Sequence, residues 1–237
     1  MLLVVDVISF FNLLRNEAPY GRYSKSHFGP MVPPKIAWFL QSSPSIILPL
    51  CYLFLRYQIL SIKTIILLFL FIGHYTHRAL IYPFYLKNSR PSVAFISLLA
   101  FIFCTLHGYI VSEYFTSENY QITSMKANFY IGVWLFTLGF FINVASDHNL
   151  TQLKTECDKS YKIPVNGLFD YVSCANYLGE IIEWIGFAVA AENLAALTIA
   201  FTTVSNLFPR ALRHHQWYLK NIDNYPKNRK AIIPFII

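Results

Sequence analysis

Apolar residues in this chain come in long blocks, each close to the length that a membrane demands of a helix. A helix needs about 20 predominantly apolar residues to cross the hydrocarbon core. The blocks 36–55, 64–86, 93–113, 127–146 and 172–191 reach that length. The run 194–209 is somewhat short, and the first, 1–14, is shorter still. The pattern predicts an all-α, polytopic membrane helix bundle of about seven transmembrane helices, the first one short, forming a single domain over residues 1–237. Asp6 interrupts the first run and no basic stretch precedes it, so it does not read as a cleavable signal. No internal repeat or low-complexity tract is visible.

Composition supports lipid as the solvent. Charged residues are 13% and hydrophobic residues 55% of the 237, where a soluble domain carries about 25% charged residues. The four cysteines, Cys51, Cys104, Cys157 and Cys174, form no CxxC pair and read as packing residues rather than a zinc site or disulfide framework.

The formal charge of +7 is explained by where the cations lie. If all seven segments cross, the connections 15–35, 87–92 and 147–171 share a side with the tail, 210–237. Those stretches hold fifteen of the nineteen Lys and Arg residues, against three on the other side (Arg56, Lys63 and Lys126), with Arg78 inside a span. That asymmetry predicts a cytoplasmic C-terminus by the positive-inside rule. It accounts for the charge through membrane lipid or a phosphorylated ligand, without nucleic acid. Residues 210–225 are amphipathic and rich in His, Trp and Tyr. They read either as a helix lying on the membrane or as a cap over a ligand site.

Ionisable residues within a span are costly and face a protein interior or cavity. Three groups qualify. The first is His74, Tyr75, His77, Arg78 and Tyr82. At 3.6 residues per turn His74 and Arg78 share one face, as do Tyr75 and Tyr82. A tyrosine hydroxyl in a dry pocket can donate to a carbonyl oxygen that turns negative during reaction; the structural alternative is a polar network that locks helices together. The second is the stripe Asn176, Glu180 and Glu183, which serves equally well as an interhelical polar seam. The third is Asn143 and Asp147 with Lys154, Tyr161 and Lys162, and Arg210, His214, Tyr218 and Arg229 from the tail. Cations and amides converging at a membrane surface suit a phosphorylated ligand; a solvated basic face is the alternative.

Other signals carry less. Asn149-Leu150-Thr151 is a glycosylation sequon on the side assigned to the cytoplasm, so no sugar is expected. His214-His215 and the scattered acids lack metal-ligand spacing, so no metal is expected. No Walker loop or GxGxxG is present, which excludes Rossmann-type nucleotide binding.

Ordered motifs then carry a resemblance. They are Ala37-Trp38-Phe39-Leu40-Gln41; His74-Tyr75 with His77-Arg78; Asn143 to Asp147 with Tyr161-Lys162-Ile163-Pro164; Gly167-Leu168-Phe169 through Trp184; and the ending Tyr218-Leu219-Lys220, Tyr225-Pro226-Lys227, Ile233-Pro234-Phe235. With them the chain resembles the steroid 5α-reductase family, the 3-oxo-5α-steroid 4-dehydrogenases of the endoplasmic reticulum, from about Tyr20 to the C-terminus. The resemblance implies a multi-pass enzyme of that membrane. It would use NADPH to reduce the Δ4 double bond of a 3-oxo-Δ4-steroid or sterol-like lipid, with no obligate protein partner. It implies that Tyr75 binds the substrate carbonyl, with Ser42 beside it, and that Trp38, Arg78 and Tyr82 line the substrate. It also implies that Tyr20, Asn143, Asp147, Lys154, Tyr161, Asn176, Glu180, Arg210, His214 and Tyr218 line the cofactor, so that the tail 210–237 belongs to the cofactor site.

This chain departs from the family pattern in two places. The family's Gln-Glu-(Leu/Ser)-Pro is here Gln41-Ser42-Ser43-Pro44, so Ser42 stands where a glutamate partners the tyrosine. A serine donates a hydrogen bond but cannot share a proton in the same way, and loss of one such donor costs about a hundredfold in rate. Lys154 replaces the usual arginine, turning a bidentate phosphate contact into a point charge. Alternative readings are an enoyl-thioester or other lipid-enone reductase, a catalytically weak steroid- or lipid-binding membrane protein, and a membrane methyltransferase, which the Tyr75 motif argues against.

Overall fold

The computed structural model describes residues 2–16, 21–23, 29–87, 89–120, 124–153 and 162–237. The chain divides into two compact units. One comprises Met1–Ala18, Ile131–Val189 and Leu197–Ile237; the other comprises Pro19–Tyr130 and Ala190–Ala196. Both are helical. The only sheet among the described residues is a two-residue antiparallel pair, β1 (Met31–Val32) with β2 (Ser92–Val93).

In the second unit, helices α2 (Pro34–Ser42) and α3 (Pro44–Arg56) make one membrane-length segment that breaks at Pro44. Proline has no N–H to give the carbonyl four residues back. The Ser43 hydroxyl takes over, donating to the Leu40 carbonyl at 3.0 Å. Helix α4 (Ile62–Thr76) starts on a Ser61 cap that accepts from the Thr64 N–H at 3.2 Å. It runs through a π-turn, His77–Ile81, into the short α5 (Tyr82–Tyr85). Pro83 explains the π-turn: it cannot donate to Ala79, and the Tyr82 N–H instead reaches the His77 carbonyl. Helix α6 (Ala94–Thr116) lies against the kink. Ser45 donates to the Cys104 carbonyl at 2.9 Å, and a Cβ on Gly108 would stand 3.0 Å from the Pro44 carbonyl oxygen.

One end of this unit is held by polar contacts. Lys63, with its side chain 2% exposed, pairs with Glu192 at 3.4 Å. Asn128 donates to the same carboxylate at 3.1 Å. Asn128, and then Lys63, hold the Glu192 carboxyl below the usual range, against the opposing effect of desolvation. Burial pushes the Tyr120 phenol up to about 12, so it stays protonated at neutral pH and donates to the Ala191 carbonyl at 2.8 Å.

In the first unit, α7 (Ala127–Gln152) and α8 (Ala175–Ala191) approach backbone to backbone. A Cβ at Gly139 would lie 2.3 Å from the Glu183 N, at Gly179 2.5 Å from the Asn143 N, and at Gly186 2.4 Å from the Phe136 N. Only glycine permits this spacing, which suits a membrane, where helices associate by packing rather than by hydrophobic expulsion from water. Phe136, Trp184 and Phe187 fill the gap beside these glycines, with Phe136 and Trp184 ring centroids 6.0 Å apart, edge to face.

Helix α9 (Leu194–Asn221) is continuous through Pro209, so the last apolar run and the amphipathic stretch form a single helix. The first apolar run forms α1 (Leu2–Arg15). Thr202 donates to the Asp6 carboxylate at 2.7 Å, and Arg213 donates to the Leu14 carbonyl. The order of these contacts is the same along both helices, so α1 and α9 run parallel. The tail after α9 is packed rather than laid on a surface: Lys230 bridges Val172 in parallel, the Cys174 N–H donates to Ala231, and Ile232 sits buried with Cys174 and Ala211.

Among the described residues four segments are long and apolar enough to cross a membrane: Pro34–Arg56, Ile62–Tyr85, Ala94–Thr116 and Ala127–Gln152. Their outer faces carry exposed Phe54, Phe84 and Trp134. Apolar side chains of that size on an outer face call for a lipid surround. The protein is a polytopic α-helical membrane protein.

Candidate functional site

In the second unit, Trp38 from α2, Arg78 from the π-turn and Tyr82 from α5 meet. The Arg78 guanidinium stands 5.6 Å from the Trp38 ring centre and 5.4 Å from that of Tyr82. The two rings touch edge-on at 5.1 Å. A buried guanidinium flanked by aromatic rings gains about 0.5–2 kcal/mol per face and presents a flat, apolar-walled cation. Tyr75 is buried in α4, its ring 4.8 Å from Phe71 and 5.0 Å from His74. Ser42 is buried at the end of α2, 2% exposed, just before the backbone breaks at Pro44. The substrate-side residues expected from the sequence thus all fall in this unit, and Trp38, Arg78 and Tyr82 are in direct contact.

One helical expectation is corrected. Tyr75 and Tyr82 share a face only in a regular helix. The π-turn takes up an extra residue between them and rotates the downstream helix by about 100°. Tyr82 accordingly engages Trp38 and Arg78.

The first unit holds a second polar cluster. Asn143 on α7 donates to the Asn176 carbonyl at 2.8 Å and to Glu180 at 3.5 Å. Asn176 on α8 donates to Asp147 at 2.9 Å. Asn143 is 1% and Asp147 4% exposed. Next to it, Arg210 on α9 donates to the Tyr177 hydroxyl at 3.2 Å, and Tyr177 is also hydrogen-bonded to His214 Nε2 at 3.2 Å. Tyr218 stacks on Tyr225 with ring centroids 5.1 Å apart and planes 2° off parallel. Of the expected cofactor residues, Asn143, Asp147, Asn176 and Glu180 form one network and Arg210 and His214 converge on Tyr177. Tyr20, Lys154 and Tyr161 lie outside the described residues.

Tyr177 and Ser173 were not singled out from the sequence, His215 entered only as a rejected metal ligand, and Tyr225 only within the C-terminal motif, with no role in the site. Ser173 is 3% exposed, and its hydroxyl shares hydrogen bonds with His215 Nδ1 at 2.6 Å and the Tyr225 hydroxyl at 2.7 Å. Burial, and then the charge of Lys230, lowers the His215 pKa. The only available signal for Tyr177 was its place beside Asn176; the Ser173 group is scattered along the chain and left none.

The donor set fits a dinucleotide. Arg210 offers a cation for phosphate, Asn143 and Asn176 carry amide groups, and Asp147 and Glu180 offer acceptors for hydroxyl or carboxamide hydrogens. Among the described residues no group of His, Cys, Asp and Glu could hold a metal ion.

Fold and site together define a helical membrane protein with buried polar clusters of enzyme type. A profile of the 3-oxo-5-alpha-steroid 4-dehydrogenase family matches residues 90–237. The chain is 40% identical over 234 residues to 3-oxo-5-alpha-steroid 4-dehydrogenase 1 of Mus musculus, covering 97% of this chain and 92% of the relative. It is 43% identical over 224 residues to 3-oxo-5-alpha-steroid 4-dehydrogenase 2 of Homo sapiens, covering 92% and 87%. It is 41% identical over 234 residues to a steroid 5-alpha-reductase of Arabidopsis thaliana, covering 93% and 88%. The chain belongs to the 3-oxo-5-alpha-steroid 4-dehydrogenase family, a family of oxidoreductases.

Proposed function

We propose that the protein is an NADPH-dependent reductase of the Δ4 double bond in a 3-oxo-Δ4-steroid, yielding the 5α-reduced 3-oxosteroid. The observation that carries the reading is the 40% identity across 97% of the chain with an enzyme named for that chemistry. The basic loops and tail favour a cytoplasmic C-terminus, where the reduced cofactor is available, and the family resemblance favours the endoplasmic reticulum membrane. The whole chain serves one reaction, and residues 210–237 belong to its cofactor side.

The chemistry is that of a conjugated enone. The Tyr75 hydroxyl donates a hydrogen bond to the 3-oxo oxygen. As negative charge grows there, the bond strengthens, and carbon 5 becomes electrophilic. Burial of Tyr75 and Ser42 keeps water from competing for that oxygen. Trp38 and Tyr82 hold Arg78 and give the substrate a flat apolar wall. The nicotinamide, when bound, supplies a hydride for carbon 5, and a proton reaches carbon 4. Asn143, Asp147, Asn176 and Glu180 orient the cofactor, while Arg210, His214 and Tyr218, joined by Tyr20, Lys154 and Tyr161, hold its charged and aromatic parts.

Ser42 favours a second reading, a steroid-binding protein of low turnover, because its hydroxyl is short and does not carry a shared proton. One experiment separates the two. Membranes containing the protein receive NADPH and a panel of 3-oxo-Δ4-steroids and trans-2-enoyl thioesters. The reductase reading expects 5α-reduced steroid that disappears in Tyr75→Phe. Steroid binding without turnover, restored to turnover by Ser42→Glu, supports the second reading. Reduction of the thioesters alone overturns both.

A further inference from the structure

The chain turns back on itself at the end of α9, and the turn gathers a group of side chains behind Tyr218. Asn224 takes a left-handed backbone, φ 62°, which asparagine tolerates better than most residues. The Tyr225 N–H donates to the Ile222 carbonyl at 3.4 Å, and the next residue, Pro226, has a fixed φ. Tyr225 is thereby laid back against α9. On that helix His215 and Tyr218 are three residues apart and share a face. Tyr225 meets both. Its ring stacks on Tyr218 with centroids 5.1 Å apart and planes 2° off parallel, and lies 6.2 Å from that of His215, edge to face.

Further contacts hold Tyr225 still. The buried Arg229 guanidinium stands 5.4 Å from its ring centre and donates to the Pro164 carbonyl at 2.9 Å. The Tyr225 hydroxyl is 2.7 Å from Ser173 Oγ, which also lies 2.6 Å from His215 Nδ1 and 3.2 Å from the Lys230 carbonyl. Ser173 has one proton and the carbonyl can only accept. One assignment therefore satisfies all three bonds: Ser173 donates to Lys230, while His215 Nδ1 and Tyr225 donate to Ser173. Ser173 is fixed in turn, because its N–H donates to the same Lys230 carbonyl at 2.8 Å. A tyrosine side chain has only two torsions. With its ring stacked and its hydroxyl bonded, Tyr225 keeps neither free.

We propose that Tyr225 is a positioning residue for the cofactor: held by Ser173 and Arg229, it sets the plane of the Tyr218 ring before the cofactor arrives. The inference rests on the reading of Tyr218 as a cofactor residue. A tyrosine left to itself samples several staggered rotamers, and a ligand that needs one of them must meet the cost of ordering it. Stacking on an immobile partner selects the rotamer in advance, so that cost is already met when the ligand binds. Tyr225 acts through Tyr218 and not by its own contact with the cofactor. Ser173 and His215 stand one step further back, as the anchor of the Tyr225 hydroxyl.

The test is a double-mutant cycle on the full chain in detergent, read as NADPH affinity by tryptophan emission. Tyr225→Leu removes the stack and is expected to weaken NADPH binding about fivefold, the scale of one aromatic pair. The deciding arm is the same change in a Tyr218→Leu background, where it is expected to cost less than about twofold further, because residues that act as a unit are not additive. A full fivefold loss in that background would mean that Tyr225 binds the cofactor itself or merely steadies the tail, and overturns the proposal. Where Tyr225→Leu does not fold, Tyr225→Phe is read in the same cycle. It keeps the ring and loses the Ser173 bond, and is expected to weaken binding about threefold, again only while Tyr218 is present. Wild-type binding that neither variant alters overturns the positioning role alone. A wild type that binds no NADPH overturns it together with the cofactor reading.

Discussion

Alanine at Gly179 is a one-carbon change that reaches both the fold and the proposed cofactor network. Its Cβ would stand 2.5 Å from the Asn143 N and 2.9 Å from both the Gly139 carbonyl oxygen and Ile142 Cγ2. Non-bonded carbon contacts settle near about 3.5–4.0 Å, so α7 and α8 must part by about 1 Å. The bonds from Asn143 to the Asn176 carbonyl, 2.8 Å, and from Asn176 to Asp147, 2.9 Å, would then exceed the limit of about 3.2 Å for a good N–H···O bond. Overpacking costs about 1–3 kcal/mol, and each buried polar group left unpaired about 1–3 kcal/mol. With one unpaired group for each of the two bonds, the combined loss is about 3–9 kcal/mol, a large share of a typical stability of about 5–15 kcal/mol. The assay pairs a thermal midpoint in detergent with cofactor affinity read from tryptophan emission. Gly179→Ala is expected to lower the midpoint and weaken cofactor binding about 10- to 100-fold, the effect of 1.4–2.8 kcal/mol. Gly73→Ala is the control: nothing lies within 4 Å of its added carbon, and helix propensity favours alanine by about 1 kcal/mol. If Gly179→Ala matches wild type on both measures, the close-approach argument is wrong.

Further expectations rest on the same logic. Asp6→Ala leaves the buried Thr202 hydroxyl without its 2.7 Å acceptor and is expected to destabilise by about 1–3 kcal/mol, with faster proteolysis of α1; Asp6→Asn is expected to recover much of it. Arg78→Lys exchanges a planar cation that fits between Trp38 and Tyr82 for a point charge, and is expected to raise KM for steroid about tenfold while leaving KM for NADPH unchanged. Because the folded pKa of His215 is lowered, the unfolded state binds the proton more readily. The contribution of His215 is therefore full above the ordinary imidazole pKa of about 6.5 and is lost as pH falls through the lower folded value. Hydrogen exchange of residues 225–237 is expected to quicken on acidification through that window, and to lose this dependence in His215→Gln.

The spans were legible because lipid imposes a length and a polarity that local composition must satisfy. The segments starting near 36, 64, 93 and 127 emerge as membrane-length apolar helices among the described residues, whereas the run 172–191 yields the 17-residue α8, which falls short of that length. The π-turn was not legible: Pro83 forbids one hydrogen bond, but whether the chain kinks, breaks or takes an extra residue depends on what Tyr82 can reach, and it reaches Trp38 and Arg78. The stripe Asn176–Glu180–Glu183 was visible at helical spacing, whereas its packing partner was not. Gly139, Gly179 and Gly186 acquire meaning only once α7 and α8 are side by side. Tyr177 follows Asn176 directly in sequence, but its role between Arg210 and His214 belongs to the α8–α9 contact. The tail's amphipathic pattern fitted a membrane surface equally well. It is the pairing of Lys230 with Val172, far apart in the chain, that packs it into the protein.

Isotope transfer tests the central claim most directly. Membranes containing the protein are supplied with NADPH deuterated at nicotinamide carbon 4 and with a 3-oxo-Δ4-steroid, and the product is analysed by mass spectrometry and NMR. The expected product is 5α-reduced, with deuterium on carbon 5 and a solvent-derived proton on carbon 4, and turnover is expected to fall at least about a hundredfold in Tyr75→Phe. Product carrying no deuterium at carbon 5, or undiminished turnover in Tyr75→Phe, would contradict it.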